Sequence, residues 1–287
     1  MADLTAIVLT MNEEANIEAC LQSLAGFCSR VVVVDSGSTD NTVPLARESG
    51  AEVLTNPFRY YAAQFNWGID NADIRTKWTL RVDADERMTP EVCAHCERIM
   101  SAHEDDDVCG ITMESDFYFL GRLIRHGGSK KRKVMVFKTG VGRIEDRKRD
   151  AHTVLSRGRS VAIRERFIHK DFKDLYSYIR RYNWYATREL QDYLAFRAGR
   201  SEMVNTDPAL QRTRRKKFGI YYKAPIFLRA WLWFVYQYVF RLGFLDGREG
   251  YLYCFFENYW YRFLVDARIY EYDRTGVGPG ELGALGD

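Results

Sequence analysis

The chain has 287 residues, 46% of them hydrophobic, with 42 Lys and Arg set against 39 Asp and Glu. That length and apolar content can bury a substantial core, as one large domain or one domain with an appendage, and exclude wholesale disorder. The formal net charge of +3 is too small to call for nucleic acid as a partner, so any electrostatic function must come from local clusters.

In chain order, Ala6-Ile7-Val8-Leu9 reads as a first strand, and a helix follows to about residue 27. Val31-Val32-Val33-Val34 reads as a second buried strand, ended by the polar turn Asp35-Ser36-Gly37-Ser38-Thr39-Asp40 and followed by a helix to about residue 49. Glu52-Val53-Leu54 is a third strand, residues 62–72 a helix and Trp78-Thr79-Leu80-Arg81-Val82 a fourth strand. Continuous apolar runs alternating with helical segments are the pattern of an α/β domain with a parallel sheet.

Thr89-Pro90 reads as a helix N-cap and first turn, and Cys93-Ala94-His95-Cys96 follows on that helix. The cysteine pair is either half of a zinc site or two free thiols, and no second pair follows at a suitable spacing. The six cysteines have no framework spacing and the N-terminus lacks the basic and apolar regions of a signal peptide, which leads us to expect a reducing, cytoplasmic setting.

Residues 122–149 hold eleven Lys or Arg (122, 125, 130, 131, 132, 133, 138, 143, 147, 148 and 149) against Glu145 and Asp146. Five glycines, at 121, 127, 128, 140 and 142, suit loops and short strands there. This basic stretch is either a solvated face or an attractor of phosphate or an anionic membrane surface. From Asp174 to about residue 196, apolar and aromatic residues recur at three and four, as in an amphipathic helix. The run from Ala224 to Phe240 is apolar and aromatic but broken by Arg229 and Gln237, too short and polar to read as a spanning helix. A second aromatic helix is expected over residues 251–270. Rings and cations mixed on paired helices fit a membrane surface, or else packing on the catalytic domain or a second subunit.

No Gly-x-Gly-x-x-Gly follows the first strand and no glycine-lysine phosphate loop occurs. In open α/β sheets ligands collect at the carboxyl ends of the strands, and that edge carries residues 10–14, 35–40 and 83–86. Asp83 and Asp85 are two apart, so in extended backbone they would point to one side. Such a pair suits a hard divalent cation, Mg²⁺ or Mn²⁺, completed by substrate phosphates; alternatively one Asp caps the next helix and the other is simply exposed.

Three runs taken in order, Ile7-Val8-Leu9-Thr10-Met11-Asn12-Glu13-Glu14, Val33-Val34-Asp35-Ser36-Gly37-Ser38-Thr39-Asp40-Asn41-Thr42 and Asp83-Ala84-Asp85-Glu86, resemble the family-2 glycosyltransferases with the GT-A fold. The likeness continues through Phe117-Tyr118-Phe119-Leu120-Gly121-Arg122, Phe167-Ile168-His169-Lys170-Asp171 and Arg241-Leu242-Gly243-Phe244-Leu245-Asp246-Gly247-Arg248. Within that family the chain resembles bacterial enzymes that extend lipopolysaccharide core or exopolysaccharide chains. The resemblance implies an α/β, Rossmann-like nucleotide-diphospho-sugar transferase sandwich with a C-terminal amphipathic helical region. On that basis residues 1–215 form the catalytic domain, with 1–115 binding the nucleotide sugar and 116–215 on the acceptor side. Residues 216–287 are then helices that associate with membrane or oligomerise.

The activity implied is an inverting transfer from a nucleotide sugar, commonly a UDP-sugar, to a lipid-linked or polysaccharide acceptor at the cytoplasmic face of the membrane. Asp35 would hydrogen-bond the nucleobase, although a strand-end Asp equally caps a turn through Ser38 or Thr39. Thr10, Asn12 and Glu13 would line the nucleoside pocket, together with Ser36, Gly37, Asn66 and Asp83. Asp83, Asp85 and His169 would form the metal and diphosphate site. A general base is also needed, and the matching stretch offers Asp150, with Asp146 in reserve and His152 as neighbour or substrate ligand. Many members have His-Glu where this chain has His152-Thr153. Two other readings stand beside this one. A sugar nucleotidyltransferase would carry a glycine-rich basic loop after the first strand, which Thr10-Met11-Asn12-Glu13-Glu14 is not; a non-catalytic carbohydrate-binding or scaffold protein is supported only by Thr153.

Overall fold

Valine-, isoleucine- and leucine-rich runs bury both faces of a strand, and here they build the centre of one sheet. The computed structural model describes residues 1–128, 132–145, 152–171, 173–198 and 221–278. Its contacts divide the chain into two compact units, Met1–Leu123 with Lys130–Lys173, and Ile124–Ser129 with Asp174–Asp287.

In the first unit, β1 (Ala2–Thr10), β2 (Cys28–Asp35), β3 (Glu52–Thr55) and β4 (Trp78–Asp83) pair in parallel in the order β3-β2-β1-β4. Between them run α1 (Ile17–Leu24), α2 (Thr42–Glu48) and α3 (Tyr61–Asn71). Strand alternation divides the core. Leu4, Ala6 and Val8 face a cluster with Ile17, Cys20, Leu21 and Leu24 of α1, whereas Ile7, Val32 and Val34 face Ala62 and Phe65 of α3. Full burial of a side chain such as Phe65 stabilises by about 1.5–3 kcal/mol. Gly68 lets α3 settle closely on the sheet, since a Cβ there would lie 2.9 Å from Val34 Cγ2.

After β4 come β5 (Glu86–Arg87) and α4 (Pro90–Ala102), capped by Thr89, whose hydroxyl accepts from Val92 N at 3.3 Å. Cys96 is buried on this helix and His95 Nδ1 lies 2.7 Å from Glu165 Oε2. The described cysteines are free thiols. β6 (Val108–Phe119) turns through Leu120 and Gly121, with φ of 48° and 81°, into β7 (Arg122–Leu123). This is the left-handed pair that a two-residue hairpin needs. β8 (Arg132–Lys138), β9 (Gly142–Ile144), β10 (Thr153–Leu155) and β11 (Arg159–Lys170) complete the strands described. β8 pairs antiparallel with both β4 and β6, β11 runs parallel to β6, and β5 closes the path on β11.

The resulting order, β3-β2-β1-β4-β8-β6-β11-β5, sets β5 four places from β4 although the chain between them is a short turn. From Asp83 to Glu86 the backbone can reach about 11 Å. Four strand spacings in a flat sheet are about 19 Å. The sheet must therefore curl, and the curl carries the end of β11 back to the end of β4.

In the second unit, α5 (Leu175–Arg197) starts at Asp174, whose carboxylate accepts from Ser177 N at 2.8 Å. Its Ala186 and Leu190 pack on Tyr261, Val265 and Ile269. A 3₁₀ turn (Tyr221–Lys223) leads to α6 (Leu228–Val235), which runs on as a π-helix over Tyr236–Phe240. A second 3₁₀ turn (Gly243–Asp246) precedes α7 (Gly247–Tyr253), a π-helix (Cys254–Trp260) and α8 (Tyr261–Thr275). The aromatic helix expected over residues 251–270 is thus longer at both ends and widened in the middle. Among the described residues no helix is long and apolar enough to cross a membrane.

Candidate functional site

The loop after β1 and the turn after β2 are bound to each other by side chains. Asp35 is buried; Oδ1 accepts from Thr10 Oγ1 at 3.0 Å and from Ser38 Oγ, and Oδ2 accepts from the backbone N–H of Gly37 and Ser38, both at 2.9 Å. The turn-capping role through Ser38 is thus realised. Gly37, at φ 92°, allows the backbone to fold over the carboxylate. Asn12, itself at φ 54°, donates its N–H to Ser38 Oγ at 2.8 Å and accepts from Thr39 N at 2.8 Å. Ser36 accepts from Gln64 Nε2 at 3.0 Å. Glu13 donates its N–H to Thr42 Oγ1 at 2.7 Å, while its carboxylate takes Asn16 Nδ2 at 2.8 Å and the Lys173 ammonium. Burial pushes the Glu13 carboxyl up to about 7 against the pull of Lys173.

Asp83 ends β4, and residues 84 and 85 form a turn rather than extended backbone. The argument that a two-residue spacing puts both carboxylates on one side of a strand therefore fails here, and the two meet different partners. Asp83 Oδ1 accepts from Tyr61 OH at 2.7 Å, and Oδ2 lies 3.6 Å from Lys133 Nζ. Asp85 Oδ2 lies 3.3 Å from His169 Nε2, on the strand that the curl of the sheet returns to this point. The imidazole is oriented by an edge contact with Phe117 at 5.2 Å, and the turn is held by Lys170 N donating to Asp85 O at 2.9 Å. Burial works against the charged imidazole, but Asp85 outweighs it and the His169 pKa is raised.

Beneath this turn lies a buried charged layer. Glu86 accepts from Lys133 Nζ at 2.6 Å and, through its other oxygen, from Asp83 N at 3.0 Å. Burial opposes the Lys133 charge, yet Glu86 and Asp83 raise its pKa overall. Arg81 Nε donates to Tyr61 OH at 2.7 Å, and Arg81 Nη1 reaches Thr153 Oγ1 at 3.3 Å. The Tyr61 phenol is pushed well up by burial, so it keeps its proton and donates it to Asp83. Lys133, Tyr61 and Arg81 were not singled out from the sequence. Lys133 faces Asp83 because β8 is antiparallel to β4 with Trp78 opposite Lys138 and Leu80 opposite Val136. The same register carried on sets Lys133 across from Asp83, and only that long-range pairing distinguishes it among eleven basic residues.

The structure thus gathers Thr10, Asn12, Glu13, Asp35, Ser36 and Gly37 in one loop cluster, and Asp83, Asp85 and His169 at the end of β4. Asn66 does not join them. Its amide donates to Ile144 O at 2.8 Å and accepts from Ile144 N at 3.0 Å, so it clamps β9. His152 is held by its backbone, its N–H donating to Glu145 Oε1 at 3.2 Å and its carbonyl accepting from Glu145 N at 3.0 Å. Asp146 and Asp150 lie outside the described residues.

Among the described residues no group of three His, Cys, Asp or Glu gathers as a metal cage. One carboxylate beside one imidazole nevertheless fits Mg²⁺ or Mn²⁺, which bind through one or two protein groups and fill the shell with water and substrate phosphate.

An uncharacterized glycosyltransferase of Rickettsia felis is 34% identical over 106 residues, covering 37% of each chain. The lipopolysaccharide core biosynthesis glycosyltransferase LpsC of Rhizobium meliloti is 28% identical over 148 residues, 50% of this chain and 53% of that protein. The matches thus span about two fifths and about half of these relatives. Among solved structures, glucosyl-3-phosphoglycerate synthase from Mycobacterium tuberculosis, in complex with Mn²⁺, UDP and glucosyl-3-phosphoglycerate, is similar at a TM-score of 0.32 and 22% identity, over 40% of this chain and 44% of that one. The family model described as "Glycosyl transferase family 2" matches residues 5–173, more than half of the chain and nearly all of the α/β unit, and this protein belongs to that family.

Proposed function

We propose that the chain moves a sugar, with inversion, from a nucleoside-diphosphate donor, a UDP-sugar first, onto a glycan or lipid-linked acceptor of the cell envelope. Support for the acceptor class comes from the likeness to a lipopolysaccharide core enzyme. The observation that carries the reading is the Asp85–His169 pair, 3.3 Å apart at the mouth of β4. These two side chains would hold Mg²⁺ or Mn²⁺, with Asp83 beside them. When bound, the cation supplies positive charge against the departing diphosphate.

The protein's own groups do the rest. Tyr61 and Lys133 fix Asp83, and Lys133 adds a second positive charge beside the diphosphate. Thr10, Asn12, Glu13, Asp35, Ser36 and Gly37 shape the nucleoside pocket. Asp150 takes the proton from the acceptor hydroxyl, with Asp146 in reserve and His152 as its neighbour or a substrate ligand.

The test is incubation of the full chain with Mn²⁺ and a set of UDP-sugars. UDP release is expected, and Asp85→Ala should lower it by at least about a hundredfold, the loss typical of removing a group that stabilises transition-state charge. Near-normal turnover in that variant would sink the reading. Pyrophosphate as product would instead indicate a nucleotidyltransferase, and tight donor binding with no turnover a non-catalytic protein.

A further inference from the structure

The helical unit has an inverted amphipathic element. In α6 and its π-helical extension the polar side chains point inward. Arg229, 3% exposed, donates Nε to Asp266 Oδ1 at 2.8 Å, with a second contact from Nη2, and Gln237 is buried as well. Trp233 Nε1 also turns inward, donating to Asn258 Oδ1 at 3.1 Å. The apolar side chains point out. Leu228, Trp231, Leu232, Tyr236, Val239 and Phe240 recur at three and four along one face and are exposed, Trp231 by 51% and Phe240 by 72%. Leu242, Phe244 and Leu245 prolong the exposed face into the following turn. A helix facing water shows the opposite polarity, and an exposed apolar face of this extent marks a docking surface.

We propose that this face docks on an anionic phospholipid bilayer, with the helix lying in the interface. Length excludes a span: segments of 8 and 5 residues make about 20 Å of helix against about 30 Å of hydrocarbon. Charge selects the occupant. Lys223 before the helix and Arg241 and Arg248 after it are exposed cations, while the acidic residue between Lys223 and Arg248, Asp246, is buried under the N–H groups of Arg125 and His126. A second copy docked face to face would bring like charges together at both ends of the helix. Lipid phosphates complement them, with Trp231 and Tyr236 at headgroup depth and Leu232, Val239 and Phe240 below. A ladder of Tyr251, Phe255, Tyr259 and Phe263 braces the helix from behind through Phe234, whose ring lies 6.4 Å from that of Tyr251 and 6.1 Å from that of Tyr259.

The docking face does not rest on the transfer reaction, and one experiment reads the two apart. The full chain is sedimented with vesicles of phosphatidylcholine, with and without phosphatidylglycerol, and UDP release is assayed without vesicles. Wild type should pellet with the anionic vesicles. The double variant Trp231→Ser/Phe240→Ser should lose partitioning on the order of a hundredfold. Arg241→Gln/Arg248→Gln should lose the preference for phosphatidylglycerol. Both variants change exposed side chains, so circular dichroism and UDP release should match wild type. Wild type that stays in the supernatant, or a Trp231→Ser/Phe240→Ser protein that pellets as well as wild type, would overturn the proposal. So would a wild-type dimer that this variant dissolves. Absence of UDP release with intact vesicle binding would instead count against the proposed function alone.

Discussion

At the scale of single residues, the α/β unit places carboxylates where burial and a cation compete. Glu13 is the clearest case. Its carboxyl is pushed up to about 7 by burial, against Lys173, and the presence of Asp85 adds to the rise. The folded chain therefore keeps a proton that the unfolded chain releases near pH 4.5. Between pH 4.5 and 7 the native state binds more protons, so stability falls as pH rises through that window and levels off above it. The full effect amounts to about 3 kcal/mol at most. Urea denaturation of the metal-free protein in chelator should show this decline, and Glu13→Gln should flatten it; an unchanged slope in the variant would refute the assignment. Such a residue is half legible in the sequence. Glu13 stands out by its place after the first strand, but its burial and its partner Lys173, 160 residues on, exist only in the fold. Tyr61, Arg81 and Lys133 were hidden for the same reason: each belongs to a helix or strand that reads as ordinary until the register sets it beside Asp83.

At the scale of elements, α6 is tied to α8 by buried polar groups, beside the apolar seam between α5 and α8. Arg229 and Asp266 are 3% and 1% exposed, and Asp266 also accepts from Phe227 N at 2.8 Å, where the backbone is left-handed at φ 64°. Removing one partner strands the other charge without water, so Arg229→Met should destabilise by about 3–5 kcal/mol. The double variant Arg229→Met/Asp266→Leu should recover part of that loss but not all, because the Phe227 N–H then has no acceptor. A double-mutant cycle by chemical denaturation checks both statements, and full additivity would contradict them. The sequence shows this region as aromatic and helical, yet not which side faces in. Arg229 and Gln237 read as interruptions of an apolar run when they are in fact the buried face. The strands were easier because an apolar run has one meaning in a parallel sheet. Even so, β1 starts at Ala2, before the apolar run, since the ladder with β2 takes in Ala2 opposite Cys28 and Thr5 opposite Arg30, with an irregularity between them.

For the whole molecule, the division into units predicts where the chain can be cut. The α/β unit closes at Lys173, and α5 packs on α8 within the helical unit. A chain ending at Lys173 keeps both clusters of the sheet intact and should unfold in one cooperative transition. A chain ending at Lys223 keeps α5 but bares Ala186 and Leu190, and should aggregate. Size-exclusion chromatography and urea melts of the two truncations decide the matter, and a well-behaved longer fragment beside an unfolded shorter one would reverse it. Nothing in the sequence marks Lys173 as a boundary, because Asp174 begins the next helix at once and no linker composition intervenes.

The short turn between β4 and β5 also has a kinetic meaning. Asp85 and His169 are 84 positions apart in the chain, and the turn can close on β11 only once β8, β6 and β11 have been laid beside β4. Pairings of such long sequence separation carry a large loop-closure cost and form late. The pairings of β1 with β2 and of β2 with β3 join nearer neighbours, such as Val8 with Val33 and Val33 with Val53, and can form earlier. A refolding chain would therefore own the loop cluster of Thr10, Asn12, Glu13 and Asp35 before it owns the Asp85–His169 pair, and the appearance of that pair would mark the last step of assembly in the α/β unit.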